Sequence, residues 1–320
     1  MSTVEEVIQA ISIGLTVASF LFNTNRFLKA IELGKECLFI MKDSTCIKWK
    51  LRNSLYMRIY LIMWIACNRI NDNTNALTYA EKLLQIYRES GDRLEEYKLS
   101  IKLGGMYFRQ GRNTQAIQLT EKGLLISKEI GDRIGQASCY TYLGTVYHSV
   151  GDYEKAKEHQ VKALVIAKEI GGKYIKADCY RNLGIVYLSV GDYEKATKHL
   201  ENSLATTKEI GDRKGEASCY TNVGVVYQSV GDYANAKEHQ EKTLAVKKEI
   251  GDRNGESNYY TNLGVLYKSV GEYEKAREYL EKSLAMKEEM DKLPVIRTLE
   301  LCITQLATTR RLENIKRKHL

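Results

Sequence analysis

Along the middle of the chain, apolar residues return at steps of three and four. Cys139, Tyr140, Leu143, Val146, Tyr147 and Val150 make one such series, which is the face of an amphipathic helix. Gly151 and Asp152 stop it, because a glycine past the last turn takes the left-handed cap and an aspartate caps the helix that follows. The pattern predicts a second helix from Tyr153 to Gly171, with Ala156, Leu164, Ala167 and Ile170 turned inward. Each helix then has about 17 residues, roughly 25 Å. Neither hides its apolar face alone, so such hairpins must stack on one another.

The hairpin repeats with a 40-residue period five times over residues 91–290. Gly131-Asp132-Arg133 returns as Gly211-Asp212-Arg213 and Gly251-Asp252-Arg253, with Gly91-Asp92-Arg93 upstream and the variant Gly171-Gly172-Lys173 between. Residues 51–90 keep the register imperfectly, through Asn71, Asp72, Ala76, Glu81, Lys82 and Leu84, and read as a sixth, degenerate unit. Ala30 and Leu38 suggest a seventh at about 4–42, followed by a linker around Asp43 to Cys46. The one proline, Pro294, stands where its missing N–H costs least, near the start of a final helix over 295–318 that is expected to cap the stack. The expected organisation is degenerate hairpins in 1–90, five regular units in 91–290, and a capping helix with a basic tail in 291–320.

Leu143-Gly144-x-x-Tyr147, Gly151-x-Tyr153, Ala156 and Ala163-Leu164 resemble the tetratricopeptide repeat, although the usual unit is six residues shorter. Gly144 and Ala156 allow the close helix approach that this family uses. The 40-residue period with its Gly-Asp-Arg junction and Asn-Leu-Gly core is similar to G-protein-signalling modulators of the Partner of Inscuteable type and to long animal multi-repeat scaffolds. The resemblance implies an all-α solenoid of helical hairpins wound as a right-handed superhelix. Its first helices would line a concave groove that captures an extended or helical segment of another protein.

In that family an asparagine beside the Leu-Gly pair bonds the backbone of the bound segment, and Asn182, Asn222 and Asn262 match that place. An amide both donates and accepts, which suits a peptide backbone. The same residues have a second reading, bonding within their own repeats. Neighbouring positions expected off the packing face are Arg181, Thr221, Thr261, Tyr142, His148, Gln228 and Lys268. Arg133, Arg213 and Arg253 are expected to bond carbonyls or aspartates of their own junctions, with a partner carboxylate as the other reading.

Charge and chemistry narrow the function classes. The net charge is +8, yet residues 91–290 hold 30 Lys+Arg against 29 Asp+Glu, so the repeats offer no phosphate track. Arg310, Arg311, Lys316, Arg317 and Lys318 form a basic end without interleaved aromatics, expected to aid solubility or meet an acidic partner rather than nucleic acid. Seven cysteines show no C-x-x-C pair and read as reduced thiols of a cytoplasmic protein. Val7 to Phe22 is apolar but shorter than a membrane span needs, and the acidic start Glu5-Glu6 is unlike a secretory signal. His159, His199 and His239 recur one per unit, too far apart to share an ion, and read as residues of a solvated helix. No phosphate loop, nucleophile elbow or zinc signature occurs in the sequence. The reading is therefore a non-enzymatic adaptor for a protein or peptide partner, without cofactor, metal or small-molecule substrate. A regulatory sensor array acting with a separate NTPase or protease is the alternative, and an RNA-binding solenoid the third reading.

Overall fold

The structure, a computed structural model, describes residues 4–42 and 47–289. Helix follows helix throughout, with no strand among the described residues. The order is α1 (Val4–Asn23), α2 (Phe27–Lys42), α3 (Trp49–Arg69), α4 (Asn73–Ser90), α5 (Arg93–Arg109), α6 (Asn113–Glu129), α7 (Arg133–Ser149), α8 (Tyr153–Glu169), α9 (Lys173–Ser189), α10 (Tyr193–Glu209), α11 (Arg213–Ser229), α12 (Tyr233–Glu249) and α13 (Arg253–Ser269). A further helical stretch, α14, covers 273–289. The chain divides into two compact units, Met1–Asn182 and Leu183–Leu320, with the border inside α9.

Punctuation by glycine and aspartate explains the helix ends. Gly151 has φ of +83° and Gly211 +70°, a conformation that only glycine adopts without strain. At the next residue Asp152 accepts the backbone N–H of Lys155 at 3.1 Å, and Asp132 accepts that of Gly135 at 2.9 Å. The same cap recurs at Asp72, Asp92, Asp192, Asp212, Asp232 and Asp252. Each cap is worth about 1 kcal/mol, which sets register as well as stability.

In each hairpin from α5–α6 to α13–α14 a glycine of the first helix meets the second helix at close range, whereas α3 has no glycine. A Cβ on Gly144 would stand 2.4 Å from Gln160 Nε2, and one on Gly184 would stand 2.6 Å from Leu200 Cγ and 3.2 Å from the Ala196 carbonyl oxygen. In the first unit Leu103 and Leu143 fill the space beside these contacts; in the second, Leu183, Leu200 and Leu263 do so, all nearly or fully buried. Each such leucine contributes about 2 kcal/mol by burial.

The inward pattern holds at Cys139, Leu143, Val146, Ala156, Leu164 and Ala167, all buried. It fails at Val150 and Ile170, both cap residues: Val150 is 46% exposed and Ile170 half-buried. Past the last turn the backbone leaves the helical path, so the 3.6-residue period no longer aims the side chain inward.

The N-terminal hairpin forms as expected, and α1 buries Ile11, Leu15 and Ala18. The expectation that its apolar stretch is too short for a membrane is corrected: α1 has 20 residues with a hydropathy of 1.5, long and apolar enough by length and composition, with 17% of that window buried. It nevertheless packs against α2 and α3 within the first unit. The linker 43–46, the capping helix of 295–318 and the basic tail lie outside the described residues.

Candidate groove surfaces on the first helices

In the first unit, three successive first helices turn one face to a common hollow of about 370 Å³. Its lining comprises Ile101 from α5, Ser138, Thr141, Tyr142 and Thr145 from α7, and Ile175, Asp178, Arg181 and Asn182 from α9. The repeat period puts Ile101, Thr141 and Arg181 in register, and one helical turn supplies Ser138 and Thr145 around Tyr142. Apolar walls with a few polar groups are the composition of a binding site.

Tyr142 is the centre of this hollow. Its ring packs edge-on against Phe108 at 6.2 Å between centroids, so it does not fall off the packing face as expected. Its hydroxyl is buried and has no hydrogen-bond partner, and burial pushes the phenol up to about 12. A buried hydroxyl left without a partner costs about 1–3 kcal/mol. Arg181 is held by Asp178 at 2.8 Å, an ion pair at the rim. Thr141 Oγ1 donates to the Ala137 carbonyl at 2.9 Å and lies 3.5 Å from Cys179 Sγ.

The second unit presents the equivalent face differently. Asn222 is half-buried and its Nδ2 donates to the Ser218 carbonyl at 3.0 Å, one turn back on its own helix. Asn262 is exposed. Thr221 bonds the Ala217 carbonyl at 2.8 Å and the Tyr259 hydroxyl, while Thr261 bonds Ser283 Oγ at 2.8 Å. These threonines tie helix to helix. Lys268 is exposed and helps line a second hollow with Tyr273, Ala276, Arg277, Leu280, Glu281 and Leu284. Gln228 is half-buried near the end of α11, and His148 packs against Tyr153 at 5.5 Å, with burial holding its pKa below the usual value. Of the residues singled out from the sequence, Tyr142, Arg181 and Asn182 meet in one hollow. Ile101, Ser138, Thr145, Ile175 and Asp178 were missed, although the 40-residue register that places them was visible.

Other sequence expectations resolve into packing. Arg133 pairs with Glu169, Arg213 with Glu249 and Glu216, and Arg253 with Glu289 at 2.9 Å. The partner is thus the glutamate that ends the second helix of the same hairpin, neither a junction aspartate nor a free fork for a ligand. His159 lies between Tyr140 and Tyr147 at 5.9 and 5.1 Å, and His239 between Tyr220 and Tyr227 at 6.0 and 5.2 Å. These histidines are half-buried ring spacers rather than residues of a solvated face. Cys139, Cys179 and Cys219 are fully buried, and burial raises the thiols of Cys139 and Cys179 to about 12 and about 11.

Comparison with known proteins agrees with the hairpin stack. Solved structures similar to this chain include the apo form of RapI (17% identity, TM-score 0.65, 88% of this chain and 99% of that one). The tetratricopeptide-repeat sensor STAND protein PH0952 from Pyrococcus horikoshii is also similar (19%, 0.62, 88% of this chain and 42% of that one). So is BtubC from P. vanneervenii (23%, 0.57, 70% and 91%). At these identities the likeness concerns the fold. No curated protein matches the chain at a significant level. The tetratricopeptide-repeat model matches residues 95–169, 141–209, 175–249 and 215–289, and the chain therefore belongs to the tetratricopeptide-repeat family.

Proposed function

We propose that the protein is a cytoplasmic adaptor that captures an extended or helical segment of a partner protein on the faces of its first helices. The observation that carries this reading is the three-helix hollow of the first unit, which Tyr142 and Asn182 line. In this reading an apolar side chain of the partner enters between Ile101 and Ile175, and Tyr142 and Asn182 bond its backbone. In the second unit the exposed Asn262 offers a separate polar contact. The protein has no catalytic role in this proposal, and its partner is a protein rather than nucleic acid or a small molecule. The finer likeness to G-protein modulators rests on the 40-residue period, the Gly-Asp-Arg junction and the Asn-Leu-Gly core of the sequence.

A second reading, a sensor array acting with a separate NTPase or protease, is favoured by the likeness to the STAND protein's repeats. Affinity purification coupled to mass spectrometry separates the two by what it retrieves. With the retrieved partner, alanine at Asn182, Asn222 and Asn262 together is expected to weaken binding, by about tenfold or less per well-made bond, at an unchanged melting temperature. Unchanged affinity with a lowered melting temperature would assign the asparagines to packing.

A further inference from the structure

Four hairpins carry an arginine clamp between residues 36 apart: Arg93 to Glu129, Arg133 to Glu169, Arg213 to Glu249 and Arg253 to Glu289. In the hairpin of α3 and α4 the same positions hold Asn53 and Glu89, and Glu89 instead accepts from Gln85 Nε2 at 2.8 Å. Where the arginine would lie there is an open cleft of about 420 Å³, with Trp49, Arg52, Asn53, Tyr56 and Tyr60 of α3 on one side and Lys82 and Glu89 of α4 on the other, so two cations face one carboxylate that Gln85 already engages. Asn53 Nδ2 is buried and has no hydrogen-bond partner. We infer that this vacated clamp is a second binding site, which receives an acidic segment of a partner protein carrying an apolar side chain next to its carboxylates.

Charge selects the ligand. Between Asp43 and Asp72 the sequence has no acidic residue but holds Lys48, Lys50, Arg52, Arg58 and Arg69. Arg52 and Lys82 make no ion pair among the described residues, and Lys48 before α3 gives no side-chain cap, so the first N–H groups of α3 add positive potential at the cleft. The ring system argues against a nucleobase. Tyr56 stacks on Tyr60 at 5.8 Å and Tyr60 on Tyr79 at 6.2 Å, while Arg52 and Lys82 lie over the Tyr56 and Tyr60 rings at 5.7 and 5.5 Å. The tyrosine faces are thus taken, whereas Lys82 is exposed and Arg52 half-buried. Trp49, 55% exposed, supplies the apolar wall, and the Asn53 amide donates to a carboxylate or backbone carbonyl.

The test uses the full chain and follows tryptophan fluorescence, there being only Trp49 and Trp64. The probes are a blocked peptide with a central Asp-Leu-Glu-Phe-Asp sequence, its Asn/Gln counterpart, and a uridine 12-mer. The acidic peptide is expected to bind with a salt-sensitive affinity at least tenfold above that of the neutral one. Asn53→Arg, which restores the clamp to Glu89, is expected to abolish that binding without lowering the melting temperature; Arg52→Gln with Lys82→Gln is expected to reduce it at least tenfold. Failure of the acidic peptide to bind at millimolar concentration, equal binding of the neutral peptide, tighter binding of the uridine 12-mer, or an Asn53→Arg variant that binds normally would each overturn the site.

Discussion

The two units build the same core from the same hairpin and then offer different faces. In the first unit the outer row of the first helices is apolar: Leu94, Ile134 and Tyr174 are 45%, 62% and 64% exposed. In the second, the equivalent exposed places hold Lys214 and Asn254. The next row repeats the contrast, with Ile101 and Tyr142 around a hollow on one side and the self-satisfied Asn222 and Thr221 on the other. Stacking constrains only the inward positions, so the groove face varies at little energetic cost. Under the proposed adaptor function, selective capture falls to the first unit, while the second presents a more polar surface.

The largest expected effect tests the sameness of the cores. Leu143→Ala and Leu263→Ala, one in each unit and both fully or almost fully buried, should each cost about 2–5 kcal/mol in denaturant unfolding. A much smaller cost at Leu263 would break the comparison by showing a looser second core. A smaller effect sharpens the difference of the faces. Tyr142→Phe removes a buried hydroxyl without a partner, so stability should hold or rise by about 1 kcal/mol while partner affinity falls several-fold by titration calorimetry. Asn222→Ala, whose amide already bonds its own helix, should leave affinity nearly unchanged.

The smallest effect is in pH dependence. The buried Cys139 thiol has a pKa raised from 9.0 to about 12, so the fold favours the protonated form. Its contribution is fully present below pH 9.0 and is lost as pH rises from there toward about 12. The melting temperature should fall over that alkaline range, and Cys139→Ala should flatten the decline. An identical slope in the variant would remove Cys139 from the explanation.

Much of the fold was legible because glycine and aspartate mark the helix ends locally: Gly151 and Asp152 declare a turn whatever surrounds them. The groove was less legible. The burial of Tyr142 depends on Phe108, 34 residues away in the preceding hairpin, and spacing within one repeat says nothing of such a contact. The arginine clamps were misassigned for the same reason, since the nearest acidic residue in sequence, the junction aspartate, is occupied as a helix cap. The constant 36-residue separation of arginine and glutamate was the signal that would have found them. Asn222 shows that a motif match fixes the residue's place on the helix but not which group its amide bonds.

The central claim is that the hollow on α5, α7 and α9 seats the partner. Thr145 lines it, and its hydroxyl donates to the Thr141 carbonyl of its own helix, at 3.1 Å. Thr145→Trp should therefore fill the hollow without disturbing the core. Calorimetric titration of the partner retrieved by affinity purification should show at least about tenfold weaker binding to this variant, about 1.4 kcal/mol, with Thr145→Ser and the melting temperature unchanged. Wild-type affinity in the Thr145→Trp variant would contradict the account.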